Sequence, residues 1–371
     1  MISIHKEIKR CQQNQLSGVL GTIISTEGST YQKPGAKCFI SSDGTLTGLL
    51  SGGCVESDLI EHAYKVLESG VPQTLHYNFQ DEGDIVWGLG LGCNGKMNIL
   101  LEPYEPEMNP ASYIIEEFFT TSLTKQIGQL IVVEANKPHL IGKRWLLDPQ
   151  KDQEELLNIE YPEICNYFLQ NTIPLKPGVT FVGGEHQLHI YSEITTPPPN
   201  LTIFGAGPDA IPLVRIAKQL HWYVTLVDHR AAYANSSLFP EADEIIVYSK
   251  DQYPPVTITS QSYVVLMTHH FLQDQMILEG LNQSDAAYIG LLGPRKRTEE
   301  MISTSQKLNT IDDFSHIHSP IGIDIGSKTP EEIALSILAE ITLVHRGGSG
   351  LKLTELKGSL SFSPKRGVMN Y

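Results

Sequence analysis

Two cysteines in this chain of 371 residues lie beside glycines, where a thiol could react. Cys54 follows Gly52-Gly53, directly before an amphipathic helical pattern, and Cys93 lies in a second glycine-rich stretch, residues 88–96. Amides and the dipole at a helix start favour the thiolate, which is the nucleophile and the soft-metal ligand. Cys54 and Cys93 are therefore our candidate catalytic residues, and an inert or buried thiol is the alternative for each.

The turn before Cys54 has the composition of an anion site. Ser51, Gly52 and Gly53 allow the backbone to approach a ligand closely, and the following helix start supplies amides. We predict that these residues bind a cofactor together with Cys54 and Cys93, which could meet across one cleft. No metal site is expected, because zinc sites have more Cys or His ligands at short spacings.

A second candidate site follows the strand pattern at 201–204. In the segment Gly205-x-Gly207-x-x-Ala210, the glycines suit the tight turn and the close pyrophosphate approach of a dinucleotide-binding loop. Asp228 ends the next strand pattern, where a carboxylate could bind a ribose hydroxyl. Pro208 removes one amide from the loop, and Arg230 follows Asp228 closely, so NAD, NADP and other phosphorylated ligands all remain open.

Two later strand ends add polar side chains to this candidate site. His269 follows the strand pattern at 263–267, and Arg295 follows the one at 287–292. Ligands of open α/β sheets lie outside the carboxyl ends of the strands, so we expect both side chains to contact the ligand. The alternatives are a packed or solvated histidine and a solvated helix start.

The elements that must position these residues change in type along the chain. Up to residue 196, strand, hairpin and helix patterns predict an N-terminal α+β domain. The proline-rich segment TTPPPN at 195–200 predicts a domain boundary. From residue 197 to 371, apolar runs alternate with helical stretches, the last run at 321–325. That alternation is typical of an α/β fold, a Rossmann-type doubly wound parallel sheet.

Charge and hydropathy exclude several classes of protein. The net charge is −15 and there is no long run of lysines or arginines, which argues against a nucleic-acid partner. No apolar run reaches the length of a membrane span, and no signal-peptide core follows the N-terminus. Five cysteines without a regular spacing favour a reducing compartment, so we expect a cytoplasmic protein.

The motifs at both ends of the chain resemble the XdhC/CoxI family of xanthine dehydrogenase accessory factors. The similarity covers residues 15–104 and 200–346, with residues 105–196 as an extension of the first domain. The family's GGC motif falls on Gly52, Gly53 and Cys54, and its GxGCxG-like motif falls on Cys93. The segments that carry it include GTIISTEGSTYQKPGAKCFISSDGTLTGLLSGGCVESDLIEHA, GLGLGCNGKMNILLEP, FGAGPDAIPLVRIAKQLHWYVTLVDHR and YIGLLGPRKR.

This resemblance implies an accessory protein, more a chaperone than a catalyst, that binds the molybdenum cofactor (molybdopterin). Such a protein assists sulfuration of the cofactor with a cysteine desulfurase and delivers it to a molybdenum hydroxylase of the xanthine dehydrogenase type. By implication, Cys54 and Cys93 contact the molybdenum–sulfur region or relay sulfur. Ser51 to Gly53 and the turn at Arg295 hold phosphate. The cofactor would lie between the cysteine loops and the carboxyl edge of the Rossmann sheet.

The chain departs from the family pattern at two places. The family often has arginines where this sequence has Lys33 and Lys37, which leaves these lysines as the available cations. Its Rossmann loop often reads GAGHVA, whereas Pro208 and Asp209 stand here. Both departures leave the strength of anion binding and the target enzyme open.

Two other functions remain as alternatives. An NAD(P)-dependent oxidoreductase would use the Rossmann domain, with His269 or a cysteine as acid–base group, and would show saturable NAD(P) binding and hydride transfer. A scaffold would recruit the hydroxylase and the desulfurase without binding cofactor, and its thiols would be dispensable. A homodimer is also open.

Overall fold

A computed structural model gives the fold and describes residues 1–53, 55–79, 94–106, 108–148, 159–170, 176–250, 252–310, 314 and 316–357. The chain forms two compact units, residues 1–197 and 198–371. The change from one unit to the other falls in the proline-rich segment TTPPPN. The predicted α/β class, with an α+β unit before a Rossmann-type unit, is confirmed.

The first unit begins with an antiparallel five-stranded sheet, whose strands, counted along the chain, lie in the order 3-2-1-5-4. Apolar side chains on one face of this sheet pack against the second helix, since Leu59, Ala63 and Val66 of that helix are buried there. The elements are α1 (Ile2–Asn14), β1 (Gly18–Ser29), β2 (Lys37–Ser41), β3 (Leu46–Gly48), α2 (Glu56–Ser69), β4 (Gln73–Asn78) and β5 (Asn94–Tyr104).

A second antiparallel sheet completes the first unit, and its four strands, counted within this sheet, lie in the order 2-1-4-3. A small apolar cluster joins the two sheets and includes Ile24 and Leu100 from the first and Ile131 and Tyr191 from the second. The elements are α3 (Pro110–Thr121), β6 (Ile127–Glu134), a 3₁₀ turn (Pro138–Leu140), β7 (Arg144–Leu147), α4 (Pro162–Gln170), β8 (Gly178–Gly183) and β9 (Leu188–Thr195).

Buried charges also connect these two sheets. Lys37 of β2 donates from Nζ to Oε1 of Glu193 on β9 at 2.5 Å, and the two side chains are only 2% and 3% exposed. Gln129 of β6 donates to the same carboxylate oxygen and accepts from Arg144. Arg144 in turn pairs with Glu102 of β5 at 2.5 Å. Each charge is therefore paired, as charges in an interior of low dielectric must be.

The second unit contains a six-stranded parallel sheet. Counted within this sheet, the strand order is 3-2-1-4-5-6, the order of a dinucleotide-binding fold. The strands are β10 (Asn200–Phe204), β11 (Tyr223–Asp228), β12 (Glu244–Val247), β13 (Ser262–Leu266), β14 (Tyr288–Leu291) and β15 (Ile317–His318). The helices are α5 (Ala210–Gln219), α6 (Phe271–Leu281), α7 (Arg295–Thr304), a 3₁₀ turn (Leu308–Thr310), α8 (Pro330–Arg346) and α9 (Leu353–Lys357).

The prediction of a last strand at 321–325 is wrong, because the sixth strand is Ile317–His318. Gly322 has φ +103°, which an extended strand does not allow. Its amide donates to Glu340, and the carbonyl of Ile323 accepts from Ser336. The amide of Ile321 donates to Leu291 of β14, but the backbone bonds of Gly322 and Ile323 go to α8 instead of a neighbouring strand.

No helix in the described ranges combines the length and the apolar character that crossing a bilayer requires.

Removing one member of the buried charge network should destabilise the first unit strongly. Glu193→Ala leaves the Lys37 ammonium without its carboxylate, and breaking a buried pair in this way costs about 3–5 kcal/mol of unfolding free energy. Chemical denaturation of the full chain measures the loss. Glu61→Ala is the matched control, since Glu61 forms an exposed pair with Lys65 on α2 and surface pairs contribute little. Equal midpoints for the two variants would contradict a stabilising role of the network.

Candidate functional site

The turn at Ser51 lies at the start of α2, and a side chain of that helix fills it. Glu56 accepts the amide of Ser51 at Oε1, 3.0 Å away, and the hydroxyl of Ser51 at Oε2, 2.5 Å away. The amide of Val55 also donates to Glu56 Oε2 and to Ser51 Oγ, both at 3.2 Å. Two amides beside this helix start, those of Ser51 and Val55, are therefore already bonded to an internal carboxylate.

Glu56 remains charged at neutral pH in this position. Burial alone would raise the pKa of its carboxyl, but the hydrogen bonds from Ser51 and Val55 outweigh burial and hold the pKa below its usual value. The negative charge offsets the helix dipole at the start of α2. It therefore opposes the stabilisation that the sequence predicts for a thiolate at Cys54.

Gly52 and Gly53 are both exposed beside this carboxylate. Gly53 has φ +102°, and a Cβ there would meet no atom within 4 Å, so the space over this residue is open. The ring of Tyr31, 58% exposed, lies near Gly52. Cys54 and Cys93 lie outside the described residues, so their candidate roles stay predictions.

Lys37 is not available to a ligand, because it is buried in the pair with Glu193. The expectation that it serves as a free cation is wrong. Its strand places the side chain toward the second sheet, where burial lowers the pKa of the ammonium group although Glu193 opposes that shift. Lys33 is exposed and is the cation that this loop presents.

In the second unit, the two glycines of the Rossmann loop meet different steric demands. Gly205 has φ +119°, and a Cβ there would collide with the backbone of Met267 at the end of β13. Gly207 faces Asp209, because a Cβ on Gly207 would collide with Oδ1 of that side chain. The space that the sequence assigns to a pyrophosphate therefore holds the carboxylate of Asp209.

Asp228 ends β11, as the sequence predicts, but its carboxylate is already bonded inside the unit. Oδ2 accepts the amide of Ala206 at 2.7 Å, and Arg230 donates to both oxygens, at 3.0 Å and 2.7 Å. Burial raises the pKa of Asp228 less than these donors lower it, so the group stays ionised. A ribose hydroxyl would have to replace Arg230 at this carboxylate.

His269 lies opposite Asp209 at the carboxyl edge of the sheet. Its Nε2 is 2.7 Å from Oδ2 of Asp209, and its backbone has φ +59°, a conformation that costs energy for a residue other than glycine. Both side chains line a cavity of about 480 Å³, together with Gly207, Arg230 and Tyr233. The structure thus brings His269 and Gly207 to one site.

Arg295 is not among the residues that line this cavity. It begins α7, is largely exposed and pairs with Glu299 one turn along the helix. Arg297 from the same turn reaches the buried carboxylate of Asp274 at 2.7 Å. In the predicted cationic turn, Arg297 therefore forms an internal ion pair, and Arg295 is exposed to solvent.

Sequence reasoning missed the two carboxylates that decide these sites, Glu56 and Asp209. Glu56 is the first residue of α2 and Asp209 directly precedes α5, and both follow a glycine turn at a position where the helix dipole favours an acidic residue. That position is the signal that could have identified them. Within the described parts of the chain, no group of three His, Cys, Asp or Glu residues is arranged to hold a metal.

Comparison with known proteins agrees with this architecture. The chain matches the XdhC and CoxI family over residues 11–78 and the XdhC Rossmann domain over residues 201–341. A protein of Bacillus subtilis (strain 168), named as a probable subunit of xanthine dehydrogenase, is 30% identical over 348 residues, which cover 92% of this chain and 97% of that protein. The chain belongs to the XdhC and CoxI family. The resemblance inferred from the motifs is confirmed.

Two further proteins are similar to this XdhC and CoxI family member. A crystal structure described as a xanthine dehydrogenase from Bacillus halodurans matches with a TM-score of 0.71 and 30% identity, covering 95% of this chain and 99% of that one. The molybdenum cofactor insertion chaperone PaoD of Escherichia coli (strain K12) is 23% identical, over 88% of this chain and 83% of its own. The similarity therefore spans both units.

Removing the charge of Glu56 should make the thiol of this XdhC and CoxI family member more reactive. Cys54 is joined covalently to Val55, whose amide bonds Glu56, so Glu56→Gln removes a nearby negative charge and favours the thiolate. We expect alkylation of Cys54 by iodoacetamide at pH 7 to become roughly 2- to 10-fold faster. Mass spectrometry of the Cys54 peptide measures the rate.

Glu61→Gln is the control for this experiment, because it removes a carboxylate of the same helix whose partner is the exposed Lys65. Circular dichroism verifies that both variants are folded. If the two variants alkylate at the same rate, Glu56 does not control the thiol.

Proposed function

We propose that this protein binds the molybdenum cofactor as cargo and supplies it to a molybdenum hydroxylase of the xanthine dehydrogenase type. Two relatives support the proposal by their names, a molybdenum cofactor insertion chaperone and a probable subunit of xanthine dehydrogenase. Both similarities run through both units, so they do not rest on the common Rossmann fold alone. The role proposed is that of a chaperone, not of a catalyst.

The glycine turn of the first unit is the observation that carries this proposal. Gly53 leaves open space in front of a helix start, and the exposed ring of Tyr31 lies beside Gly52. An aromatic face beside permissive backbone suits a planar heterocycle such as a pterin. The thiol of Cys54 follows this turn in sequence, where it would contact the molybdenum–sulfur end of the cargo.

Phosphate is a poor fit for the turn itself. Glu56 already accepts the amides of Ser51 and Val55, and its negative charge would repel a phosphate there. Lys33, exposed in the preceding loop, is better placed by its charge to attract the phosphate group. In the proposed function, Ser51 therefore orients Glu56, and Gly52, Gly53 and Cys54 face the cargo.

Sulfur transfer and delivery are the finer parts of the proposal. A cysteine desulfurase would supply sulfur, Cys54 and Cys93 would carry it or hold the metal–sulfur region, and the hydroxylase would receive the finished cofactor. These partners and a homodimer rest on the family resemblance.

Substitution of Cys54 should weaken the retention of the molybdenum cofactor. Without the Cys54 thiol one contact to the molybdenum–sulfur region is lost, so Cys54→Ala should bind the cofactor with about tenfold lower affinity, equivalent to about 1.4 kcal/mol. Cys93→Ala and the double variant are measured beside it. The readouts are cofactor retained after gel filtration, detected as its fluorescent oxidised pterin, and activation of a cofactor-free hydroxylase.

Cys165→Ala is the matched control, since Cys165 is a half-buried free cysteine of α4. Unchanged retention and activation in Cys54→Ala, Cys93→Ala and the double variant would reject a role of the thiols in binding the cofactor and favour the scaffold. Titration with NAD and NADP in the same preparation tests the oxidoreductase: tight binding with hydride transfer, and no cofactor retention, would replace the proposal.

A further inference from the structure

The cavity at the carboxyl edge of the Rossmann sheet has a distribution of charge unlike a dinucleotide site. Two of its lining residues are acidic, Asp209 at the start of α5 and Glu331 at the start of α8. The lining also includes Arg230, whose guanidinium stacks 4.4 Å from the ring of Tyr233. The cavity therefore offers an acceptor region, a cation and an aromatic face in about 480 Å³.

The acceptor region lies where a dinucleotide would place its pyrophosphate. The Asp209 carboxylate lies against Gly207 and bonds His269 at 2.7 Å, so a phosphate there would meet a like charge in contact. The ribose-binding carboxylate is also taken, because Asp228 is paired with Arg230. Both recognition contacts of the dinucleotide motif are therefore satisfied within the chain.

The Asp209 carboxylate can accept further hydrogen bonds besides the one that it shares with His269, since its two oxygens have about four acceptor positions. Neighbouring N–H groups on a planar ring match such a carboxylate. Arg230 donates to Asp228 from Nε and Nη2, which leaves Nη1 of this half-exposed guanidinium beside Tyr233 for an anionic group at the other end of the same ligand.

We propose that Asp209 closes the Rossmann loop to dinucleotide pyrophosphate and makes the cavity a site for a 2-amino-4-oxopyrimidine ring bearing a phosphate. The ring's N–H and 2-amino donors bind Asp209, and the phosphate binds Arg230. Guanine nucleotides and pterin phosphates share this chemistry. The site belongs to the second unit alone, so the inference does not require the turn of Ser51 to Gly53 that precedes Cys54 (the cysteine turn). A pterin ligand would make this second site part of the proposed function.

Titration of the full chain with guanosine, inosine and adenosine monophosphates tests the donor edge. Inosine monophosphate lacks only the 2-amino group, so we expect it to bind at least about tenfold more weakly than guanosine monophosphate, as expected for one lost hydrogen bond to a charged partner. Dihydroneopterin phosphate separates the two sources: tighter binding than guanosine monophosphate assigns the site to a pterin, and weaker binding assigns it to guanine. Inorganic phosphate reports on Arg230 alone.

Asp209→Asn should abolish the preference for the 2-amino group, because the amide replaces one acceptor by a donor. Glu300→Gln, an exposed carboxylate of α7, should keep the preference. Asp209→Ala should in addition raise the affinity for NAD, because the like charge at the pyrophosphate position is gone. Nuclear magnetic resonance spectra verify that the variants are folded.

Two results would overturn the inference: tight binding of NAD to the wild-type chain, or binding of the monophosphates without a preference that depends on Asp209. Neither result would alter cofactor retention by the cysteine turn, so failure here is distinguishable from failure of the proposed function.

Discussion

The ion pair of Lys37 and Glu193 connects the two sheets of the unit that contains the cysteine turn. Lys37 lies on β2 of the first sheet and Glu193 on β9 of the second, so their attraction acts between sheets that also share two apolar clusters. Two buried charges are costly unless they are paired, and the chain meets that requirement by extending the network through Gln129 to Arg144 and Glu102. The arrangement of the two sheets is therefore specified by polar side chains as well as by apolar packing.

Strand β2, which carries Lys37, also influences the position of the turn at Ser51. The residue after Lys37 pairs with Gly48 at the end of β3, and a Cβ on Gly48 would collide with the carbonyl of Lys37. Only glycine therefore fits where β3 approaches the charged strand. The turn at Ser51 follows three residues later, so this close backbone contact between β2 and β3 helps to position its start.

Much of this architecture could be predicted from the sequence, because strands, glycine turns and the alternation of elements depend on local patterns. The sequence also located Gly205, Gly207 and Asp228 correctly at the carboxyl ends of the first two strands of a Rossmann-type unit. Their predicted role in cofactor binding stays a prediction. What it could not reveal is the partner of each charge. Lys37 looked available to a ligand because its partner, Glu193, is distant in sequence. The segment at 321–325 looked like a strand because its apolar residues alternate, whereas its backbone bonds to Ser336 and Glu340 depend on tertiary packing.

An internal carboxylate at each candidate site has a consequence for the proposed role of a cofactor carrier. At the start of α2, Glu56 competes with any anion for the amides of Ser51 and Val55; at the start of α5, Asp209 occupies the corresponding position. A ligand that displaces such a group loses part of its intrinsic affinity, because the displaced bonds must be broken first. Selectivity is kept, since only a ligand with complementary donors avoids the competition. A carrier of the proposed kind needs moderate affinity with high selectivity, and an internal carboxylate at a helix start favours both.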